Sequence, residues 1–113
     1  MAHDNLVLRT FYVDDDLDEQ IRHWTGCYAF SSLLFRHWLA AGMRAANGGA
    51  GSGSPRSSER PPVLCTAWID ARVDSRLRIE AFHRGVARNL VAMEYLRLGR
   101  EVAPPLKRIP PPI

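Results

Sequence analysis

Residues 63–100 repeat residues 6–43, and each copy contains only one strand-forming stretch. At an offset of 56, Val7-Leu8 falls on Val63-Leu64, Thr10 on Thr66, Asp14 on Asp70, Asp18 on Asp74 and Arg22 on Arg78. Leu17 and Ile21 fall on Val73 and Leu77. After one inserted residue the match resumes at 57: Leu33 with Leu90, Leu34 with Val91, Trp38 with Tyr95, Leu39 with Leu96, Gly42 with Gly99. A single shift at an expected turn, with apolar positions kept in phase, reads as two copies of one unit. A lone strand leaves its hydrogen-bonding edge open and its apolar face bare. Two copies solve both problems by pairing antiparallel.

Each unit reads as strand, helix, helix. Residues 7–13 and 63–69 are short runs rich in apolar and β-branched side chains. Asp14 and Asp70 follow as N-cap candidates. Leu17, Ile21 and Trp24 recur at helical spacing, as do Val73, Leu77 and Ala81. Asp15, Asp16, Asp18 and Glu19 suit the positive end of the first helix. A second helix is expected from about Ser31 to Ala41 and from about Arg88 to Leu98, with Ser31 or Ser32 as a cap. Gly42 and Gly99 read as C-terminal stops. Strand alternation puts Val7, Arg9, Phe11 and Val13 on one face and Leu8, Thr10 and Tyr12 on the other. In the second copy Leu64, Thr66 and Trp68 share a face.

The stretch 47–62, NGGAGSGSPRSSERPP, is glycine- and serine-rich and ends in two prolines, the composition of a flexible coil. The organisation expected is one domain over 1–113: a unit at 6–43, a linker at 44–62, a unit at 63–100 and an extended proline-rich tail at 101–113. The linker makes strand pairing intramolecular, at an effective concentration on the order of millimolar, so a monomeric pseudo-dimer is expected. The net charge of +3 is uneven. Residues 1–43 hold three arginines against six acids, leaving −3; residues 44–113 hold twelve basic residues against six acids, leaving +6. A polyanion would therefore meet mostly the second half. Two cysteines, Cys27 and Cys65, are too few for a disulfide scaffold and fit reduced thiols. With no apolar run of membrane-spanning length and no secretion-type start, a cytoplasmic location is expected.

Catalytic and metal chemistry find little footing. The run Asp14–Glu19 lacks the central glycine and late glutamate of a calcium loop. His3, His23, His37 and His83 show no ligand pair. The glycines of 48–53 follow no strand, as a phosphate-binding loop would require. No serine or cysteine has a base near it in sequence. Trp24, Phe35, Trp38, Phe82 and Tyr95 are expected in the core. No enzyme activity, cofactor or metal is expected.

Strand, acid-capped helix, turn and second helix in about forty residues resemble the ribbon-helix-helix (MetJ/Arc-type) DNA-binding superfamily. Gly85-Val86-Ala87-Arg88-Asn89-Leu90-Val91 is similar to that family's turn into its second helix. The resemblance covers 6–43 and 62–100. It implies an α+β, mostly α fold: a tandem ribbon-helix-helix pseudo-dimer with a two-stranded antiparallel ribbon and four helices. Two units in one chain look more like accessory proteins of conjugative DNA transfer.

The resemblance further implies double-stranded DNA as partner, with the ribbon in the major groove and helix N-termini on the flanking phosphates. Carried over by position, the resemblance makes Val13 and Ile69 core-facing, which by alternation turns Val7, Arg9 and Phe11 inward and gives the base contacts to the outward Leu8, Thr10, Tyr12, Leu64, Thr66 and Trp68. Arg9 would replace them if the register shifted by one. Phosphate contacts would fall to Ser31, Ser32, Arg88 and Asn89. The expected role is a transcriptional regulator or DNA-transfer accessory factor. The alternative is a protein-interaction module that keeps the fold without binding DNA, because Leu8, Tyr12, Leu64 and Trp68 make the outer strand face apolar. The tail is a second candidate for a protein partner, or a basic arm through Lys107 and Arg108.

Overall fold

Two strands form where apolar and β-branched residues alternate with outward-facing ones, and each stops at an aspartate. The structure, a computed structural model, describes residues 5–23, 28–49 and 59–103, with the side chains of 28–31 outside that description. Its elements run β1 (Leu6–Val13), α1 (Asp15–His23), α2 (Tyr28–Asn47), β2 (Val63–Asp70), α3 (Ala71–Arg84) and α4 (Arg88–Val102). The fold is α+β: a two-stranded antiparallel sheet and four helices among the described residues. None of these helices is long and apolar enough to cross a membrane. Trp24, Cys27, His3, residues 50–58 and the tail from Pro104 onward lie outside the described residues.

Strand pairing sets Thr10 opposite Thr66, Leu8 opposite Trp68 and Tyr12 opposite Leu64. The odd-numbered face, Phe11, Val13, Cys65, Ala67 and Ile69, is buried against the helices. The even-numbered face points away from them. This register fixes Arg9 on the helix side. It is not an outward base-reading residue as the shifted register would have it, because a one-residue slip would expose Phe11 and Val13. Arg9 instead reaches Asp74 Oδ2 at 3.3 Å and the Leu8 carbonyl at 3.0 Å.

Because the strands are antiparallel, α1 leaves one end of the ribbon and α3 the other. Asp70 caps α3, its carboxylate accepting from the Arg72 N–H at 2.7 Å. Gly85, at φ 67°, ends α3 in the left-handed conformation that glycine takes without penalty. Before α1, the Asp14 carbonyl accepts from Asp18 N, and its buried carboxylate takes a bidentate grip from Arg97 on α4 at 2.8 and 2.9 Å. Those bonds raise Arg97's pKa above its ordinary value.

Both second helices run further than the glycine stops suggest. Helix α2 continues through Gly42 to Asn47, taking in the start of the expected linker, and α4 continues through Gly99 to Val102. Gly42 and Gly99 are crossing points. A Cβ on Gly42 would lie 1.9 Å from the Tyr95 carbonyl oxygen; one on Gly99 would lie 1.8 Å from that of Trp38. The α2 and α4 backbones touch there, and a side chain at either place would hold them apart. Around the crossing lie Leu34, Phe35, Trp38, Leu39, Val91 and Leu96, all buried, with Phe11 stacked on Phe35 at 5.6 Å between ring centroids.

Phe82 departs from the expected core: it is 83% exposed. The buried stripe of α3 passes through Asp74, Leu77 and Ala81, and one further residue turns the side chain about 100° outward. Trp38 and Phe35 are buried and Tyr95 is half-buried, its hydroxyl bonded to Glu80.

Candidate functional site

The outward ribbon face holds six of the side chains that sequence reasoning selected, and the fold brings them together. Leu8, Tyr12, Leu64 and Trp68 are each between 47% and 55% exposed. The pairs Leu8 with Trp68 and Tyr12 with Leu64 flank the central threonines. Thr10 Oγ1 and Thr66 Oγ1 lie 3.0 Å apart and share a hydrogen bond. One of the two hydroxyl hydrogens and the remaining lone pairs stay available to a ligand. None of these six side chains bears a charge; their polar atoms are the threonine hydroxyls, the Tyr12 hydroxyl and the Trp68 indole N–H.

The edges of the ribbon are closed by the N-terminal parts of α2 and α4, crosswise; Ser32, expected to cap its helix, is the fifth residue of α2, which begins at Tyr28. Ser32, buried in α2, accepts from the Trp68 N–H through its hydroxyl at 3.1 Å. Asn89, in α4, accepts from the Tyr12 N–H at 2.7 Å and donates to the Tyr12 carbonyl at 2.8 Å. The helix of each half thus grips the strand of the other. Tyr12's backbone turns away from β2 here, which makes Tyr12↔Leu64, and by alternation Thr10↔Thr66, close non-hydrogen-bonded pairs.

Of the expected phosphate contacts, Ser32 and Asn89 direct their side chains to strand backbone. Arg88 is half-buried, donates to Asp74 Oδ1 at 3.0 Å and lies 5.2 Å above the Phe11 ring. The Ser31 side chain lies outside the described residues. Ala87 precedes α4 and offers it no side-chain cap.

The two ends of the ribbon differ behind the strands. Behind Trp68, Arg36 Nη1 donates to the Trp68 carbonyl at 2.9 Å, and burial lowers the Arg36 pKa from its ordinary value. A hollow of about 110 Å³ opens between Arg36, Leu39, Ile69 and Asp70. Behind Tyr12, Met93 stands where the repeat would place a counterpart of Arg36, and a hollow of about 270 Å³ lies between Tyr12, Asp14, Asn89, Leu90 and Arg97.

Below the ribbon the repeated aspartates are buried. Asp74 gathers Arg9, Arg78 and Arg88 within 3.3 Å, while Asp18 pairs with Arg22 at 2.8 Å. Cys65 sits beside Asp18, and burial pushes its thiol up to about 12. No group of three or more His, Cys, Asp or Glu side chains that could hold a metal occurs among the described residues. No local pattern marks the Arg36–Trp68 and Arg97–Asp14 contacts, which join residues 32 and 83 positions apart. Comparison with protein-family models, with curated proteins and with solved structures finds no match for this chain.

Proposed function

We propose that the chain is a single-chain ribbon-helix-helix pseudo-dimer that binds double-stranded DNA by laying its ribbon in the major groove. The observation that carries this reading is the difference between the two ribbon faces. Outward, the strands repeat one another: Leu8 and Leu64, Thr10 and Thr66, and an aromatic residue at Tyr12 and Trp68. Inward, Val7 matches Val63 and Val13 falls on Ile69, but the central pair differs: Arg9 falls on Cys65 and Phe11 on Ala67. Core faces drift freely while volume is kept; an outer face held alike in both halves around the Thr10–Thr66 pair fits a partner that is itself two-fold. A duplex has that symmetry in its backbones, and its major groove admits a two-stranded ribbon. The threonine hydroxyls can bond base edges and their methyls can touch thymine. At α4 the uncapped first turn favours a phosphate oxygen on its N–H groups. The role is that of a cytoplasmic transcriptional regulator or DNA-transfer accessory factor.

The test is anisotropy with labelled random and genomic duplexes across a salt series. Binding is expected at low salt and should weaken by roughly 0.9 log unit of affinity per log unit of salt for each phosphate neutralised. Thr10→Ala with Thr66→Ala should flatten sequence preference. Absence of binding at low salt overturns the reading. A second reading rests on the same face: four large apolar side chains, about half exposed and without a charge, suit a protein partner. It predicts indifference to duplex DNA and capture of a protein that Tyr12→Glu abolishes.

A further inference from the structure

We propose that Tyr12 and Trp68 are the specificity-determining pair that fixes which way round the ribbon lies on its duplex; this rests on the DNA-binding reading above. A half-turn about the Thr10–Thr66 pair carries Leu8 onto Leu64 and Thr10 onto Thr66, so four of the six outward residues are unchanged by it. Among these six only the aromatic position changes: Tyr12 goes onto Trp68. Polarity that these six side chains impose on a bound duplex therefore enters at these two.

Their chemistry differs in the way needed to read unlike half-sites. The Tyr12 hydroxyl donates and accepts, whereas the Trp68 indole N–H only donates. Their supports differ too. The Trp68 backbone is held by Ser32 at its N–H and by the Arg36 guanidinium at its carbonyl. Asn89 alone holds both groups of Tyr12. Arg36 thus ties down the Trp68 backbone at the strand edge, where the buried Met93 takes its place by position in the other half. A donor-only ring favours the acceptor-rich edge of guanine, which offers N7 and O6 in the major groove. The Trp68 end should lie over the half-site richer in guanine, with the Tyr12 end over the other.

The experiment begins with duplexes selected from a random pool by the full chain. Orientation is then read by cleavage from an iron chelate tethered at Arg60→Cys, an exposed position beside the Val13–Val63 end, in a Cys27→Ser background. Wild-type residues 12 and 68 should give cleavage at one end of the site in excess over the other by about fivefold or more, the discrimination of one base contact. The double exchange Tyr12→Trp with Trp68→Tyr leaves composition and Leu8, Thr10, Leu64 and Thr66 untouched, and should reverse the pattern. Trp68→Tyr alone equalises the face and should bring the two ends to parity while binding persists. Equal cleavage at both ends by the wild-type face, an unreversed pattern in the exchange variant, or loss of all binding by that variant overturns the inference and leaves DNA binding standing. Failure of the parent chain to enrich any duplex overturns DNA binding itself and favours a protein partner for the face.

Discussion

Replacing Gly99 with alanine tests the crossing of α2 and α4. The added Cβ would lie 1.8 Å from the Trp38 carbonyl oxygen, where real Cβ contacts do not fall below 3.0 Å. The difference requires the two backbones to separate by about 1.2 Å at their closest point. Side chains cannot absorb this, because the atom met is backbone, and Trp38, Leu39, Leu96 and Val91 would lose contact together. Overpacking of this kind costs roughly 1–3 kcal/mol. Alanine recovers about 0.5–1 kcal/mol of helix propensity in α4. The net expectation is a loss on the order of 1–2 kcal/mol, or a fall in Tm of roughly 4–15 °C for a domain near this size. Gly48→Ala is the matched control, since its Cβ would meet the Ala45 carbonyl oxygen at an ordinary 3.5 Å. It should be neutral or slightly stabilising. Gly42→Ala should behave as Gly99→Ala does, and the double variant should lose less than the sum, because either substitution alone already parts the helices. Thermal melts and urea titrations of the four variants decide the matter. If Gly99→Ala melts at or above the parent temperature, the close crossing does not hold this fold together.

Arg97→Met removes both bonds from the Asp14 carboxylate, which is only 2% exposed, and should cost about 3–5 kcal/mol in urea titrations; adding Asp14→Asn should restore part of it. Asn89→Ala takes both side-chain partners from the Tyr12 backbone, at a cost of roughly 1–3 kcal/mol, and should speed amide hydrogen exchange at Tyr12 more than at Leu77. The buried Cys65 thiol keeps its proton in the folded chain to about 12 but releases it near 9 once unfolded, so the native state binds the extra proton between those values. Stability should therefore fall as pH rises above about 9. Cys65→Ala should remove the part of that slope that begins near 9, leaving the part due to Tyr95, which begins near its unfolded value of 10.0 because burial raises its folded value to about 12.

What sequence reading recovers here is what depends on a short period. The alternation in 7–13 and 63–69 separates the two faces of each strand; the helices packed on one side then decide which face is buried. Asp70 as a cap and Leu77 and Ala81 as a buried stripe follow from the same local logic. Glycine defeats that logic at Gly42 and Gly99. A residue that ends a helix by turning left-handed and one that lets another helix approach are the same letter, and only the neighbouring helix distinguishes them. Asn89 is legible as a residue at the start of a helix, whereas Ser32 is not the expected cap, because α2 begins at Tyr28; the grip of both on the opposite strand joins halves of the chain through tertiary packing alone. Arg9 was marked by its odd parity, but its partner Asp74 lies 65 residues away. The face of six outward residues was therefore legible, and the supports that distinguish its two ends were not.

The crosswise grip of α2 on β2 and of α4 on β1 also sets a timetable. During synthesis β1 is made some fifty residues before Val63–Asp70, and α2 is complete before the strand it holds has been made. The first half must wait, with its strand edge open and its apolar side uncovered, the condition in which nascent chains meet chaperones or one another. Closing so long a loop is entropically gentle, because doubling its length adds only about 0.6 kcal/mol. Lengthening the segment between Asn47 and Val63 should consequently leave the finished protein nearly as stable, while prolonging the interval in which its first half stands alone.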